Sequence, residues 1–331
     1  MTPVRVLVVD DSPVAQQVLT EMIQSDPNLQ VVGTAANGRE AVSLARELQP
    51  DLITMDLNMP VMNGQEAIDQ IMASDPRPIL VISSNNDSKV AFDACARGAL
   101  DVFSKDQLDP GNAEPLTRRI KLLSQVKVIG HIRPKTDHRG APSATSASHK
   151  IIAIACSTGG PRALAQLLPA LPADYPHPIV IAQHIENGFS SGLIEWLNPL
   201  SPNPVEAGQA GGKLQPGKIV LVPPEQNLAV RNGGTLEEVE RRPQDRYAPN
   251  CDLLLSSVAE SYGKDGVGVI LTGMATDGVE GMKRIHERGG LTIAQDEATS
   301  VVYGMNRQAI EAGCIDKILP IQEIGPYLAG L

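Results

Sequence analysis

VRVLVVDDSPV, residues 4–14, is the stretch from which the fold follows. The apolar run Val4–Val9 is a strand stopped at once by two aspartates, Asp10 and Asp11. Further short apolar runs follow at Val31–Ala35, Leu52–Met55, Ile79–Ile82 and Asp101–Phe103. Amphipathic stretches alternate with them and predict helices over Val14–Ile23, Arg39–Leu48, Gln65–Met72, Lys89–Arg97 and Leu116–Val126. Strict alternation of strand and helix means a parallel sheet covered on both faces. Because parallel crossovers are right-handed, the expected result is a doubly wound, flavodoxin-like α/β domain with a five-stranded sheet.

The texture then changes. Residues 127–150 are rich in Pro, Ser, Thr, Ala, Arg and His and lack an apolar period, which reads as a flexible linker. Apolar runs resume at Ile151–Ala155, Ile179–Ala182, Ile219–Val222, Val267–Leu271 and Leu291–Ala294. Helical segments are expected at Arg162–Leu168, Ser191–Leu197, Asp252–Tyr262 and Val279–Arg288, giving a second doubly wound α/β domain. The Gly- and Pro-rich stretch Pro204–Glu240 is expected to form hairpins inserted into it. Domain limits of 1–123, 124–149 for the linker and 150–331 follow.

Composition narrows the function. With 331 residues and a formal net charge of -10, the chain has no surplus of cations for nucleic acid or an anionic membrane surface. No segment approaches the ~18 apolar residues of a membrane span, and Val4–Val9 is too short for a signal peptide. The four cysteines, Cys95, Cys156, Cys251 and Cys314, form no CxxC and point to a reducing compartment, hence a cytoplasmic protein.

The strand ends of the first domain carry chemistry. Asp10 and Asp11 end the first strand, and Asp56 ends the third. Neighbouring strands at a switch point open on one crevice. Three carboxylates there call for a hard cation, and Mg²⁺ suits oxygen ligands and phosphate. Asp56 is then placed to attack a phosphoryl group. Ser83, after the fourth strand, can hydrogen-bond a phosphoryl oxygen, and Lys105, after the fifth, can pair with it. Any one aspartate reads equally well as a solvated loop residue. The case is the coincidence of five suitable residues at four strand ends. These stretches, with PDLITMDLNMPVMNGQEA, LVISS and LDVFSK, resemble the receiver domains of bacterial response regulators. The resemblance implies that Asp56 accepts phosphate from a chemotaxis histidine kinase and that Asp10, Asp11, Asp56 and the Asn58 carbonyl arrange Mg²⁺. Val102, where receivers often carry an aromatic residue, and Asp106, where proline is usual, depart from the pattern.

In the second half, only His184 among six histidines ends a buried strand. His131, His138 and His149 lie in the linker, His177 in a Pro-rich turn and His286 in a helix. Ser157 follows another strand in IIAIACSTGGPRAL, and Asp277 a third in VGVILTGMATDG. Singly, Ser157 reads as a helix N-cap and Asp277 as a cap or turn residue. Together the three can converge as nucleophile, base and orienter of a hydrolase. Cys156 is a rival nucleophile, although strand alternation turns it away from the Ser157 side. STGGPRAL, QH followed by GF, LTGMATDGVEGM and AQDEATSVVYGM resemble the catalytic domain of the chemotaxis protein-glutamate methylesterases. Carried over by position, Ser157 is the nucleophile, His184 the general base and Asp277 the orienting acid. No cofactor is implied for the ester chemistry. The implied substrates are glutamate methyl esters, and glutamines for deamidation, on methyl-accepting chemotaxis receptors, with access to Ser157 controlled by phosphorylation at Asp56. Ile185-Glu186-Asn187, Cys156, Asn227 and Asn306 depart from the family's frequent residues. Two other readings fit the residues alone: a serine hydrolase of different specificity under the same switch, and a non-catalytic binding scaffold.

Overall fold

The structure, a computed structural model, describes residues 2–84, 87–126, 128, 150–241, 247–274 and 276–331. The linker expectation, with His131, His138 and His149, falls almost wholly outside the described residues. The chain divides into two compact units, Met1–Thr136 and Asp137–Leu331.

The first unit alternates β1 (Val4–Val9), α1 (Pro13–Gln24), β2 (Leu29–Ala35), α2 (Gly38–Leu48), β3 (Leu52–Asp56), α3 (Gly64–Ser74), β4 (Ile79–Ser83), α4 (Ser88–Arg97), β5 (Asp101–Ser104) and α5 (Glu114–Leu123). The sheet is parallel in the order β2-β1-β3-β4-β5, as expected. Every residue of β3 and β4 is buried, as sheets covered by helices on both faces require. Local sequence fixes the helix starts. Ser12 caps α1 ahead of Pro13, and Asn63 and Glu66 form a capping box on α3.

Register explains why distant residues meet. Val9 pairs with Met55, Asp56 with Ile82 and Ser83 with Ser104. Asp10 and Asp56 therefore lie one step past a shared rung, with Ser83 and Lys105 at the ends of the next two strands.

The second unit contains β6 (Ile151–Cys156), α6 (Gly160–Leu167), β7 (Ile179–Gln183), α7 (Ser190–Leu197), β8 (Val205–Ala207), β9 (Ile219–Leu221), β10 (Leu228–Val230), β11 (Leu236–Glu238), α8 (Cys251–Tyr262), β12 (Gly266–Ile270), α9 (Val279–Glu287), β13 (Leu291–Gln295), α10 (Met305–Glu311), β14 (Lys317–Leu319) and α11 (Ile321–Ala329). Its main sheet is parallel, ordered β14-β13-β12-β6-β7-β9-β8. The switch point lies at β6, where the chain runs outward through β7 and later returns to the other side at β12. One expectation is corrected here. Of the stretch 204–240, only β10 and β11 form a hairpin, whereas β8 and β9 pair in parallel and extend the main sheet. Three-residue strands joined by Gly- and Pro-rich chain carry the same local signal in either topology. Among the described residues, no helix is long and apolar enough to cross a membrane.

α8 and α9 pack closely because residue 281 is glycine. A Cβ there would run into the Leu255 Cβ and stand 3.1 Å from the Asp252 carbonyl oxygen. Gly281→Ala gains about 1 kcal/mol of helix propensity but forces the helices apart at about 1–3 kcal/mol. The expected outcome is a lower melting temperature for the second unit's transition, with the first unit's transition unmoved, read by calorimetry.

Candidate functional site

In the first unit, Lys105 Nζ lies 2.8 Å from Asp10 Oδ2 and 3.0 Å from Asp56 Oδ2. Asp10 and Asp56 are buried, so the ammonium balances two carboxylates withdrawn from water. Burial, and secondarily the charge on Asp10, push the Asp56 carboxyl above the ordinary range, against the pull of Lys105. Burial works to lower the Lys105 pKa, but the two carboxylates together outweigh it and raise it. The Leu57 N–H donates to Asp56 Oδ1 at 2.8 Å, and the Ser12 N–H to Asp10 Oδ1 at 2.9 Å. Carboxylate oxygens of Asp10, Asp11 and Asp56 all lie within 4.8 Å of one another, Asp11 being exposed. This all-oxygen donor set fits a hard divalent cation such as Mg²⁺. Ser83 is buried at the end of β4. Asn58 turns its amide outward, donating to Asp87 Oδ2 at 2.8 Å, and Ser84 Oγ donates to the same oxygen at 2.7 Å.

In the second unit, Cys156 pairs with Gln183, so Ser157 and His184 step off neighbouring strands together. The His184 N–H continues the ladder to the Cys156 carbonyl at 2.9 Å, and the Ser157 N–H does so to Thr272 O at 3.1 Å. Gln183 Nε2 donates to both the Ser157 carbonyl (2.9 Å) and the His184 carbonyl (2.7 Å), tying the two loops through one buried amide. Ser157 is not the cap of α6. Its carbonyl accepts from the Gly160 N–H at 2.8 Å, and Gly159 occupies the cap position at φ +79°. A Cβ at 159 would stand 2.6 Å from the Val301 Cβ, so a left-handed turn without a side chain is required there. The Ser157 hydroxyl is thereby relieved of capping.

His184 Nε2 lies 2.7 Å from Asp277 Oδ2. A carboxylate only accepts, so Nε2 carries the proton. His184 Nδ1 is buried without a hydrogen-bond partner and is left as the basic nitrogen. Tyr247 stacks on the imidazole, centroids 4.4 Å apart and planes 10° from parallel. Cys156 is fully buried, and burial pushes its thiol far up, which removes it as a nucleophile.

Asp277 does cap a helix, but not the one that follows it. Its Oδ2 accepts from the Cys251 N–H and its Oδ1 from the Asp252 N–H, both at 2.8 Å, at the start of α8. Asp252 returns the contact, its Oδ1 accepting from the Gly278 N–H (2.9 Å) and the Gly281 N–H (2.8 Å) at the start of α9. Each helix N-terminus is thus capped by a carboxylate associated with the other. Asp252, Gln183, Tyr247 and Cys251 were not singled out by sequence reasoning as site residues. Asp252 gave the signal of an acidic residue in a first helical turn, which reads equally as local dipole compensation, and Gln183 appeared only inside the QH motif.

The CheB methylesterase family model matches residues 152–328, and the response regulator receiver domain model matches residues 6–114. This chain belongs to the CheB methylesterase family. It is 42% identical over 325 residues to protein-glutamate methylesterase/protein-glutamine glutaminase 2 of Anaeromyxobacter dehalogenans, a match spanning 97% of this chain and 95% of that protein. Protein-glutamate methylesterase/protein-glutamine glutaminase 3 of Paramagnetospirillum magneticum is 41% identical over 337 residues, spanning 98% and 95%. The crystal structure of the Thermotoga maritima CheB methylesterase catalytic domain is similar with a TM-score of 0.53 at 35% identity, covering 55% of this chain and 98% of that one.

Burial, and secondarily the charge on Asp277, raise the Asp252 carboxyl from 3.8 to about 6. Between those values the folded chain holds a proton that the unfolded chain has released, so stability falls as pH rises through that window. Asp252→Asn keeps the accepting oxygen and drops the charge. It is expected to melt above the unsubstituted protein at pH 8, by up to about 2–3 kcal/mol, with the gap closing towards pH 4; a gap independent of pH would contradict the buried charge.

Proposed function

We propose that this chain is a phosphorylation-controlled protein-glutamate methylesterase acting in chemotactic adaptation. Its substrates are glutamate methyl esters on methyl-accepting receptors, and it also deamidates receptor glutamines. The observation that carries this reading is His184, with Nε2 held by Asp277 and Nδ1 unpartnered, on the strand beside the one that delivers Ser157. Full-length similarity to proteins named for these two activities supports it.

Ser157 Oγ attacks the ester carbonyl as His184 Nδ1 takes its proton, and Asp277 stabilises the imidazolium. The proton then passes to the departing methoxide, releasing methanol and leaving Ser157 acylated. Water, deprotonated by Nδ1, attacks the acyl group and restores the serine and a glutamate carboxylate. With a glutamine side chain the leaving group is ammonia. No cofactor is called on for these steps.

In the first unit we assign Asp56 as the residue that takes a phosphoryl group from a histidine kinase. Asp10, Asp11, Asp56 and the Asn58 carbonyl would hold Mg²⁺. When bound, the cation neutralises charge on the transferring phosphoryl group. Ser83 and Lys105 are assigned to the phosphoryl oxygens. We assign 1–123 to the receiver domain, 124–149 to the linker and 150–331 to the methylesterase domain. Four free, buried thiols suit a cytoplasmic protein.

Ser157→Ala is expected to cut methanol release from methylated receptors by at least about 10⁴-fold, measured as volatile radiolabel. Peptide and soluble-ester substrates run in parallel separate this enzyme from a general hydrolase. Asp56→Asn should abolish the response of methanol release to a small-molecule phosphodonor while leaving the basal rate. A response that persists would show that the control does not pass through Asp56.

A further inference from the structure

The proposed hydrolysis does not use the Cys251 side chain, yet the thiol lies against its central residue. Cys251 Sγ is 3.4 Å from His184 Nε2, the nitrogen that also meets Asp277 Oδ2 at 2.7 Å. One donor atom from each of the three residues falls within 4.8 Å of the others. Thiolate, imidazole and carboxylate are the donors that zinc-type ions prefer, and three protein ligands leave a fourth position open to water.

The separations suit such an ion. Metal–sulfur and metal–nitrogen bonds of about 2.3 and 2.0–2.1 Å at a tetrahedral angle put sulfur and nitrogen about 3.5 Å apart. The observed 3.4 Å is close to that, and the imidazole–carboxylate contact has to open by only about half an ångström. Asp277 is already aimed by the Cys251 and Asp252 N–H groups, the kind of outer-shell support that ligating carboxylates carry. Two carboxylates, Asp277 and Asp252, meet at this point with helix N–H groups as their hydrogen-bond donors, and a dication would balance their charge. The other acidic cluster, Asp10, Asp11 and Asp56, offers only oxygen and favours hard cations, so ligand softness separates the two sites.

We propose that Cys251, His184 and Asp277 form a binding site for a soft divalent cation of the zinc type, and that its occupation switches the hydrolase off. On binding, a sulfur–metal bond replaces the S–H bond of Cys251 and one proton leaves to solvent. The His184 Nε2 lone pair goes to the metal, and the proton that Nε2 carried moves to Nδ1. Nothing is oxidised or reduced. A protonated Nδ1 has no lone pair for the Ser157 proton. The inhibition rests on the role given to His184 above; the binding does not.

The test uses the full chain, stripped with a chelator and kept in excess Mg²⁺, with Co²⁺ as the spectroscopic probe. A thiolate-to-cobalt charge-transfer band saturating at one equivalent is expected, bleached by Zn²⁺ and missing from both Cys251→Val and Cys251→Ser. Zn²⁺ should inhibit methanol release, reversibly by chelator, and half-inhibition of each Cys251 variant should need more than about tenfold higher Zn²⁺, with each protein scaled to its own metal-free rate. No band, or a band that survives in both variants, overturns the site. A band with undiminished methanol release overturns the switch. Failure of the hydrolase reading would show separately, as metal-free methanol release by Ser157→Ala.

Discussion

The exchange of carboxylates between the N-termini of α8 and α9 is the interaction on which the second unit's site depends. Asp277 belongs to the loop that enters α9 but accepts from the first amides of α8, and Asp252 does the reverse. Neither helix can move without withdrawing the acceptor of the other. The imidazole of His184 is attached to this clamp through Asp277, so its tautomer is set by how two helices start. Close packing at Gly281 is what lets the helix ends approach far enough for the exchange.

The first unit solves a similar electrostatic problem differently. There the buried carboxylates of Asp10 and Asp56 each accept one backbone N–H and share a cationic side chain, Lys105, at their other oxygens. Backbone N–H groups keep an acceptor rigid and permanently engaged. A lysine ammonium can give way when a phosphoryl group and a cation redistribute the charge, which suits a site meant to change state. Both units place these groups at the carboxyl ends of parallel strands around a switch point, and differ in how firmly they are held.

Much of this was legible in the sequence. Parallel strands leave a strong mark, because apolar runs such as Val4–Val9 and Ile151–Cys156 have no polar alternation, and residues just past them converge by topology alone. Asp10, Asp56, Ser83 and Lys105, and likewise Ser157 and His184, could therefore be found from strand ends. The hairpin reading of 204–240 held for β10 and β11 and failed for β8 and β9, because strand direction is decided by partners, not by local composition. Gln183 entered only as part of the QH motif, although its amide bridges two loops. The capping by Asp277 was invisible because its partners lie 25 and 26 positions away. Tyr247 sits in a polar stretch with no periodicity to mark it.

The stacking and hydrogen bonding of His184 leave Nδ1, the ring nitrogen nearer the main chain, as its unpartnered atom. This shortens the lever between the backbone and that nitrogen. Rotation about the Cα–Cβ bond swings a nitrogen at the far edge of the ring further than it swings Nδ1, and the Asp277 contact and the Tyr247 stacking restrain rotation of the ring itself. The positional tolerance of the site is then inherited from β7 itself, a fully buried strand whose ladder runs on through the His184 amide. The placement of Nδ1 becomes a property of the sheet's stiffness, and disturbances in β6 or β7 well below the strand ends would register there as lost alignment.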